Sequence, residues 1–504
     1  MAATEAVSIL PLDVRGSPVI MPKRGHTART SVPRRRASLE IEPKPRGTPE
    51  ISTFDRAEAY LRDRVDLERI RVTSETRHEY KLDRMRAMLA ALGNPQESVR
   101  CVHIAGTKGK GSTCEMTACS LEACGYTVGL FTSPHLCDVR ERIRLNRRPI
   151  SQEDFTGVIA RVAQASAEAG MGEPTFFEVL TAAGFLYFAE QAVDVGVIEV
   201  GLGGLLDCTN VITPEVAAIT TIGHDHTQIL GSTLAEIAAQ KAGIFKPGVP
   251  ALTVEQEESA LEAIRRVAGE VGAPLQVVGT DIEYSFRFEW QAGDGPSARV
   301  SLTSDRCNYE HVPVPLKGEH QAVNCGLALA ILDKLTERGF HCPEDRVLRG
   351  LESTRLPGRF EEVGQSPRVV LDCAHNPESI RALMKALGAY VQFDSLVVLF
   401  GCAADKDIDS MLRALASGGD KVIFTRATGN PRSANPSDLA RRYAEISGGK
   451  VAQVAQTFAD GLELARRALD RGDALCITGS FYIVGEAKQI LAQREAAKAA
   501  GRRA

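Results

Sequence analysis

The sequence predicts an α/β protein built from two successive domains, each containing a parallel sheet. An apolar segment around Val102 and Ile104 runs into a glycine-rich turn and then into a helix-forming segment. This order is typical of a strand, a phosphate-binding loop and a helix. Strand-forming and helix-forming segments alternate regularly beyond residue 358, which predicts a second parallel sheet. The length of 504 residues, 44% of them hydrophobic and 25% charged, suits a globular protein of roughly two or three domains.

The overall composition argues against several classes of protein. A formal net charge of −4 and a single Trp argue against a nucleic-acid binder. No apolar run approaches the ~20 residues that span a bilayer, so we expect no membrane segment. The 12 cysteines are scattered without a C-x-x-C pair. We therefore expect reduced thiols in a cytoplasmic protein, and neither a disulfide framework nor a zinc site.

The two ends of the chain differ in composition from the rest. Residues 1–52 are rich in Pro, Arg and Ser, lack periodicity and contain the basic run Arg34-Arg35-Arg36. They predict a disordered N-terminal tail, with a targeting or binding arm as the alternative. Residues 491–504 predict a second, charged tail.

The glycine-rich turn predicts an ATP site. The segment 103–112 contains three glycines, whose backbone N–H groups can surround an anion at the start of a helix. Lys110 can reach phosphate oxygens and Ser112 can contact a magnesium ion. Gly111 separates this lysine from this serine, so the segment does not match G-x-x-x-x-G-K-[ST] in register. A glycine-rich turn with a surface lysine is the alternative.

Polar residues also follow the next predicted strands. Ser133 and His135 come directly after the strand 127–131, where α/β proteins place ligands. Arginines follow at 140, 142 and 144, and they could hold an anionic substrate or lie solvated at the surface. Glu178 stands early in a very apolar helix, where it must reach solvent, meet a cation or serve the helix N-terminus.

Two further segments carry candidate site residues. The strands 195–200 and 216–221 run into Gly201-Leu202-Gly203-Gly204 and into His224-Asp225-His226. Two histidines beside an aspartate at a strand end are candidate metal or phosphate contacts. Lys241 lies in an apolar helix, so its charge must be compensated or altered if it is buried, unless the side chain extends to solvent.

After residue 283 the sequence pattern changes to short alternating segments. Residues 283–290 and 298–303 predict an antiparallel hairpin, and Leu316 to Gln321 opens a long helix. A boundary at 357/358 precedes the smaller, Rossmann-like C-terminal domain. Its first strand is followed by Asp372-Cys373-Ala374-His375-Asn376-Pro377 instead of G-x-G-x-x-G, so dinucleotide binding is not expected.

Together these motifs resemble the folylpolyglutamate synthase and dihydrofolate synthase family of the Mur-ligase superfamily. The G-T-x-G-K-G-[ST] form of the loop is the one that superfamily carries. The matching segments follow the family order over about residues 53–490, and they are 103–112, 132–136, 176–183, 199–204, 225–227, 230–231, 241–243, 356–359 and 372–377.

The resemblance implies a two-domain fold, with a P-loop-containing Mur-ligase-like ATPase domain at 53–357 and a Rossmann-like ligase domain at 358–490. It also implies ATP-dependent ligation of L-glutamate to a folate or to dihydropteroate through an acyl phosphate, by a cytoplasmic monomer. A Mur-type ligase acting on another carboxylate and an ATP-binding regulatory protein without ligase chemistry are the rival hypotheses.

The resemblance also assigns site residues. ATP contacts match Gly106, Thr107, Gly109, Lys110, Gly111 and Ser112 in the loop, and Asn324, Arg359 and Asp372 further along the chain. The ligands of one or two magnesium ions match Ser133, Glu178 and His226. Lys241 matches a lysine that is carbamylated in the family, and His375 matches a residue near the reacting groups, so Lys110, Lys241 and His375 are the expected catalytic residues.

Three positions depart from the family pattern. Lys108 stands where Asn is common, Leu205 stands where Arg is common, and His224 replaces an apolar residue. Because a leucine cannot replace a cation beside an anionic substrate, we expect contacts to the pterin or to the glutamate tail to differ.

Overall fold

The computed structural model describes residues 50–66, 82–291, 295–365, 367–428 and 430–501. The predicted disordered tail falls outside these ranges up to residue 49. Residues 66–78 are rich in charged side chains and predict a connector or a short helix, and from residue 67 on they also lie outside these ranges.

An eight-stranded sheet forms the centre of the first domain, in the order β4-β3-β2-β5-β1-β6-β7-β8. The strands from β2 to β8 in this order are parallel, and β3 and β4 add an antiparallel edge. The strands are Cys101–Ala105 (β1), Val128–Phe131 (β2), Ile143–Leu145 (β3), Arg148–Pro149 (β4), Val195–Glu199 (β5), Val216–Ile219 (β6), Ala251–Val254 (β7) and Leu275–Val278 (β8).

The central strands β1, β5 and β6 are buried along their whole length, because helices cover both faces of the sheet. This explains why their sequences read as continuous apolar runs and do not alternate. The helices of this part are Phe54–Arg62 (α1), Leu82–Ala91 (α2), Lys110–Ala123 (α3), Gln152–Ala169 (α4), Phe176–Glu190 (α5), Thr227–Leu230 (α6), Leu234–Ala242 (α7) and Glu258–Val271 (α8).

A small antiparallel sheet follows, as the alternating pattern after residue 283 predicts. It has three strands in the order β11-β10-β9, and the third strand was not predicted. They are Glu283–Gln291 (β9), Gly295–Thr303 (β10) and Asn308–Pro313 (β11), and they precede Glu319–Glu337 (α9) and Glu344–Glu352 (α10). Helix α9 is buried along most of its length between this sheet and the first domain, which places its N-terminus beside the phosphate loop.

A six-stranded sheet forms the second domain, in the order β12-β13-β17-β14-β15-β16. It is parallel except for the edge strand β12, which pairs antiparallel with β13. The strands are Glu361–Gln365 (β12), Arg368–Asp372 (β13), Leu396–Phe400 (β14), Lys421–Phe424 (β15), Gln453–Val454 (β16) and Ala474–Thr478 (β17). The helices are Pro377–Tyr390 (α11), Ile408–Gly418 (α12), Pro436–Ile446 (α13), Phe458–Ala468 (α14) and Phe481–Gly501 (α15).

The end of the chain differs from the predicted charged tail, because α15 continues through Gly501. The first half of this helix packs on the second sheet through Ile483, Val484 and Ala487, so it belongs to the core of that domain. All 12 cysteines carry free thiols, in agreement with the sequence. Within the described ranges, no helix has the length and apolar character needed to cross a bilayer.

Candidate active site

The phosphate loop lies between β1 and α3, at the carboxyl end of the first sheet. Gly106 has a φ of 149°, and a Cβ there would lie 1.7 Å from Thr220 Oγ1. Gly109 has a φ of 89°, and its Cβ would lie 2.1 Å from Asn324 Oδ1 on α9. Both positions require glycine, because a side chain would be strained and would collide with a neighbouring element. Helix α3 begins at Lys110, so its N-terminal N–H groups face the cavity beside the loop.

Two lysines donate to one carbonyl of this loop. The Nζ of Lys110 lies 3.2 Å from Gly106 O, and the Nζ of Lys241 on α7 lies 2.9 Å from the same oxygen. Lys241 is only 4% exposed, and burial lowers its pKa from the ordinary 10.5 to about 7. The charge of Lys110 acts in the same direction, while Asp225 and Asp207 oppose it. The lysine that the sequence identified as requiring compensation is therefore buried next to a second cation.

Glu199, at the end of β5, is a buried acid beside the loop. Its Oε2 accepts a hydrogen bond from the backbone N–H of Ser133 at 3.1 Å. Burial raises the pKa of this carboxyl, while the neighbouring Lys110 and the Ser133 N–H act in the opposite direction. A Cβ on Gly111 would lie 3.6 Å from the same carboxylate. Glu199 therefore stands between the phosphate loop and the segment after β2.

Glu178 has a different environment from the one predicted for a magnesium ligand. Both of its carboxylate oxygens lie 3.0 Å from Arg84 Nε, and Oε2 lies 2.8 Å from Nη2. The same Oε2 accepts from the N–H and the hydroxyl of Thr175 in a capping box at the start of α5. The cation that Glu178 required is thus Arg84. To bind a metal ion, this carboxylate would first have to exchange a buried ion pair.

Asp225 and His226 lie after β6, opposite the second domain. His226 has a φ of 50°, an uncommon backbone conformation for a non-glycine residue. Its Nε2 lies 3.8 Å from Asp225, which is also 3.6 Å from Lys406 Nζ. Burial alone would raise the pKa of Asp225, but the charges of His226 and Lys406 outweigh it, so this pKa lies below its ordinary value. Desolvation lowers the pKa of His226, and Asp225 opposes that effect.

The second domain contributes a wall around β13 and the start of α15. The guanidinium carbon of Arg359 lies 5.1 Å from the centre of the Phe481 ring. Asp372 accepts hydrogen bonds from the N–H groups of Phe360 and Ala374, both at 2.8 Å. Burial raises the pKa of Asp372, and the charge of Arg359 opposes this effect. The wall therefore presents a cation and a firmly held carboxylate.

His375 adds a neutral imidazole to this wall. Its Nδ1 lies 2.8 Å from the carbonyl oxygen of Cys373, so Nδ1 carries the proton and Nε2 has a free lone pair. Burial lowers the pKa of His375 to about 4, and the charge of Lys406 adds to this effect. The imidazole is therefore uncharged at neutral pH.

A single cavity of about 1010 Å³ joins these features. Both domains line it, and most of the predicted site residues face it. Its walls include Thr107, Gly109, Lys110, Gly111, Ser112, Ser133, Glu178, His226, Asn324, Arg359, Asp372 and His375. Gly106 and Lys241 are not in the lining, and Lys241 Nζ donates to the carbonyl of Gly106 within the loop.

The predicted arginine cluster and Leu205 differ in their position relative to the cavity. Arg140 pairs with Asp138 and Arg144 pairs with Glu115, so Arg142 is the member of the arginine cluster that lines the cavity. Leu205 is 44% exposed and lies outside the lining.

Sequence reasoning did not assign a role to several lining residues. Glu199, Lys406 and Asp207 belong to this group. Glu199 could have been found, because it is an acid at the end of a buried strand. Lys406 carries no local signal, since the fold alone brings it to Asp225.

Comparisons with known proteins place the chain in a family. Residues 104–332 match the Mur ligase middle domain, and residues 358–481 match the Mur ligase glutamate ligase domain. Dihydrofolate synthase/folylpolyglutamate synthase from Bacillus subtilis is 35% identical over 415 residues, which cover 81% of this chain and 94% of the relative. Folylpolyglutamate synthase from Lacticaseibacillus casei is 33% identical, with 81% and 94% covered.

Solved structures agree with these relatives. Mycobacterium tuberculosis folylpolyglutamate synthase complexed with ADP and AMPPCP is similar with a TM-score of 0.75 at 33% identity, covering 82% of this chain and 95% of that one. Escherichia coli FolC in complex with DHPP and ADP has a TM-score of 0.76 at 30% identity, with 89% and 100% covered. The family and the fold class predicted from the sequence are both confirmed. The chain belongs to the folylpolyglutamate synthase and dihydrofolate synthase family of the Mur ligases.

Proposed function

We propose that this chain catalyses the ATP-dependent addition of L-glutamate to the carboxylate of a folate, of dihydropteroate, or of both. The observation that carries this proposal is the shared cavity. One wall offers a phosphate loop with Lys110, and the facing wall offers Arg359, Asp372 and His375. A nucleotide held by the loop would therefore have its phosphates beside groups from the second domain.

The reaction brings anions together, which explains the cations around the cavity. A substrate carboxylate attacks the terminal phosphorus of ATP, ADP leaves, and an acyl phosphate forms. The amine of glutamate then attacks the acyl carbon, the C–O bond to phosphate breaks, and the amine gives up a proton. Lys110 and Arg359 supply fixed positive charge where two anions must approach.

His375 presents an uncharged imidazole to the cavity. Its Nδ1 donates to the Cys373 carbonyl, which leaves Nε2 as a hydrogen-bond acceptor. The pKa of about 4 keeps this imidazole neutral at neutral pH and also makes it a weak base. We therefore assign His375 to accept a hydrogen bond from the attacking amine at Nε2 and to orient it, while the proton of the amine passes to the departing phosphate.

Magnesium fits the donor set of the cavity. The hydroxyls of Ser112 and Ser133 and the carboxylate of Glu199 are oxygen donors, which Mg²⁺ prefers, and His226 lies on the same cavity wall. Among the described residues, no three His, Cys, Asp or Glu side chains converge on a common point. Bound magnesium would neutralise phosphate charge. We assign the carboxylate ligand to Glu199 in place of Glu178, because Glu178 is occupied by Arg84.

Lys241 fits the predicted carbamylation. With a pKa of about 7, an appreciable fraction of this amine is unprotonated near neutral pH. Its nitrogen can then bond to the carbon of CO₂, with loss of one proton, to give an anionic carbamate. The change would turn a repulsive pair of lysines into an attractive pair, with Lys110 as the cation.

The test offers dihydropteroate and tetrahydrofolate separately to the purified protein with ATP, Mg²⁺ and glutamate. We expect ADP and a product heavier by one glutamate, detected by mass spectrometry, with at least one acceptor. If protein shown to be folded fails to turn over ATP with dihydropteroate and also with tetrahydrofolate, the proposal is refuted. Product with an unrelated carboxylate alone would favour the rival Mur-type ligase. The monomeric state and the absence of nucleic-acid partners stay predictions from the sequence.

A further inference from the structure

Two ion pairs of opposite polarity connect the phosphate-loop side of the cavity to the second domain. Lys108 of the phosphate loop pairs with Glu378 in the first turn of α11. In the other pair the acid comes from the first domain, since Asp225 lies 3.6 Å from Lys406 Nζ. Each domain thus contributes one cation and one anion. A sliding movement between the domains would separate the partners of both pairs, so the arrangement favours one alignment.

The backbone holds Lys108 at the boundary between the domains. Its N–H donates to Thr221 O at 3.2 Å, and the neighbouring Thr107 hydroxyl lies 3.1 Å from Gly223 O. A Cβ on Gly223 would lie 3.7 Å from Lys108 Nζ and 3.9 Å from Glu378 Oε2. Gly223 therefore packs beside both members of the ion pair.

The two lysines of the loop have different surroundings. Lys110 turns back to the carbonyl of Gly106 within its own loop. Lys108 extends to the other domain, with 32% of its side chain exposed. Burial and the charge of Arg381 lower the pKa of Lys108, and Asp225 opposes this effect. Lys108 therefore lies beside one acid from each domain, Asp225 and Glu378.

We propose that Lys108 is a positioning residue, which docks α11 against the phosphate loop through Glu378. Docking in this register sets where Arg359 and His375 stand relative to the loop. The inference rests on the proposed ATP-dependent function for its catalytic consequence, but the docking itself does not depend on turnover. It also gives a role to a position where the sequence departs from the family pattern.

The decisive variant is Glu378→Gln, because two explanations predict opposite signs. If Glu378 only adds negative charge near the phosphates, its removal should leave or improve ATP binding. If it docks the domain through Lys108, kcat/KM for ATP should fall by about tenfold. Lys108→Arg keeps the cation and should stay within about threefold of the native protein. The double variant Lys108→Met with Glu378→Gln should cost no more than Lys108→Met alone.

A second ion pair on the same helix provides a matched control. Lys385 on α11 lies 2.6 Å from Glu319 at the start of α9, and both side chains are exposed and lie outside the cavity lining. Lys385→Gln should change kcat/KM by less than about twofold, as for an ordinary surface pair.

Hydrogen–deuterium exchange gives a readout that needs no activity. In Glu378→Gln, amides of residues 104–112 and 377–390 should exchange faster, whereas they should be unchanged in Lys385→Gln. The inference is wrong if both variants behave alike, if Glu378→Gln binds ATP better, or if the two substitutions are additive. A native protein without ligase activity would refute the proposed function and would leave this exchange test intact.

Discussion

Replacing Lys241 by methionine should stabilise the folded protein and abolish its activity. Methionine keeps a chain of similar length without the charge. The pKa of Lys241 falls from the ordinary 10.5 to about 7, a shift of about 3.5 units, because the folded state disfavours the ammonium. At 1.36 kcal/mol per unit, the buried charge lowers the free energy of unfolding of the native protein by ~5 kcal/mol at a pH where Lys241 is protonated in both the folded and the unfolded chain. Loss of the hydrogen bond to Gly106 would offset ~1 kcal/mol of the gain.

The difference in stability between Lys241→Met and the native protein should increase as the pH falls. Above pH 10.5 the amine is neutral in both states, so the native lysine carries no penalty. As the pH falls from 10.5 towards 7, the unfolded chain binds a proton that the folded chain does not, and the native protein loses stability relative to Lys241→Met. Below pH 7 the difference should level off.

Urea unfolding of both proteins between pH 6 and pH 10, in buffer free of CO₂, measures this difference. Adding bicarbonate should reduce it for the native protein, because a carbamate removes the unpaired ammonium. A difference in unfolding free energy that is independent of pH would refute the reasoning, because it would mean that Lys241 titrates normally in the fold.

Two further predictions concern the acids and glycines of the cavity. Glu199→Gln should lower kcat by about a hundredfold or more with little change in stability, whereas Glu178→Gln should cost ~3 kcal/mol of stability by removing the carboxylate of the ion pair with Arg84. Steady-state kinetics and urea unfolding on both variants separate the two roles, and equal kinetic losses would contradict the assignment. Gly109→Ala should weaken ADP binding by at least about tenfold, as measured by calorimetry. The reason is that the alanine Cβ would lie 2.1 Å from Asn324 Oδ1, at a backbone φ of 89°. Unchanged affinity would show that the loop can move away from α9.

The sequence predicts most of the fold because its signals are local. Continuous apolar runs mark the buried parallel strands, and capping residues such as Thr175 and Asn376 mark helix starts. The elements that it missed include short edge strands and a third antiparallel strand, whose pairing depends on distant partners, and also β7 and α10. Strand β16 has two residues, both exposed, and so gives almost no hydrophobic pattern.

The candidate site was harder to predict, because the assignment of each charge depends on its partner in space. Glu178 and Glu199 are both acids within apolar segments, and the sequence cannot say which one meets a cation of its own. The structure separates them, since Arg84 lies against Glu178 and the phosphate loop lies against Glu199. Lys108 is a similar case: its ion-pair partner lies far along the chain, in the other domain.

The phosphate loop contacts three separate helices, and these contacts would link nucleotide binding to both domains. The carbonyl of Gly106 accepts from Lys241 on α7, and Gly109 packs against Asn324 on α9. Lys108 extends to α11 in the second domain. Because each contact leads to a different helix, a small shift of the loop must be matched by all three. A nucleotide bound at this loop would therefore contact a segment that is joined to helices of both domains.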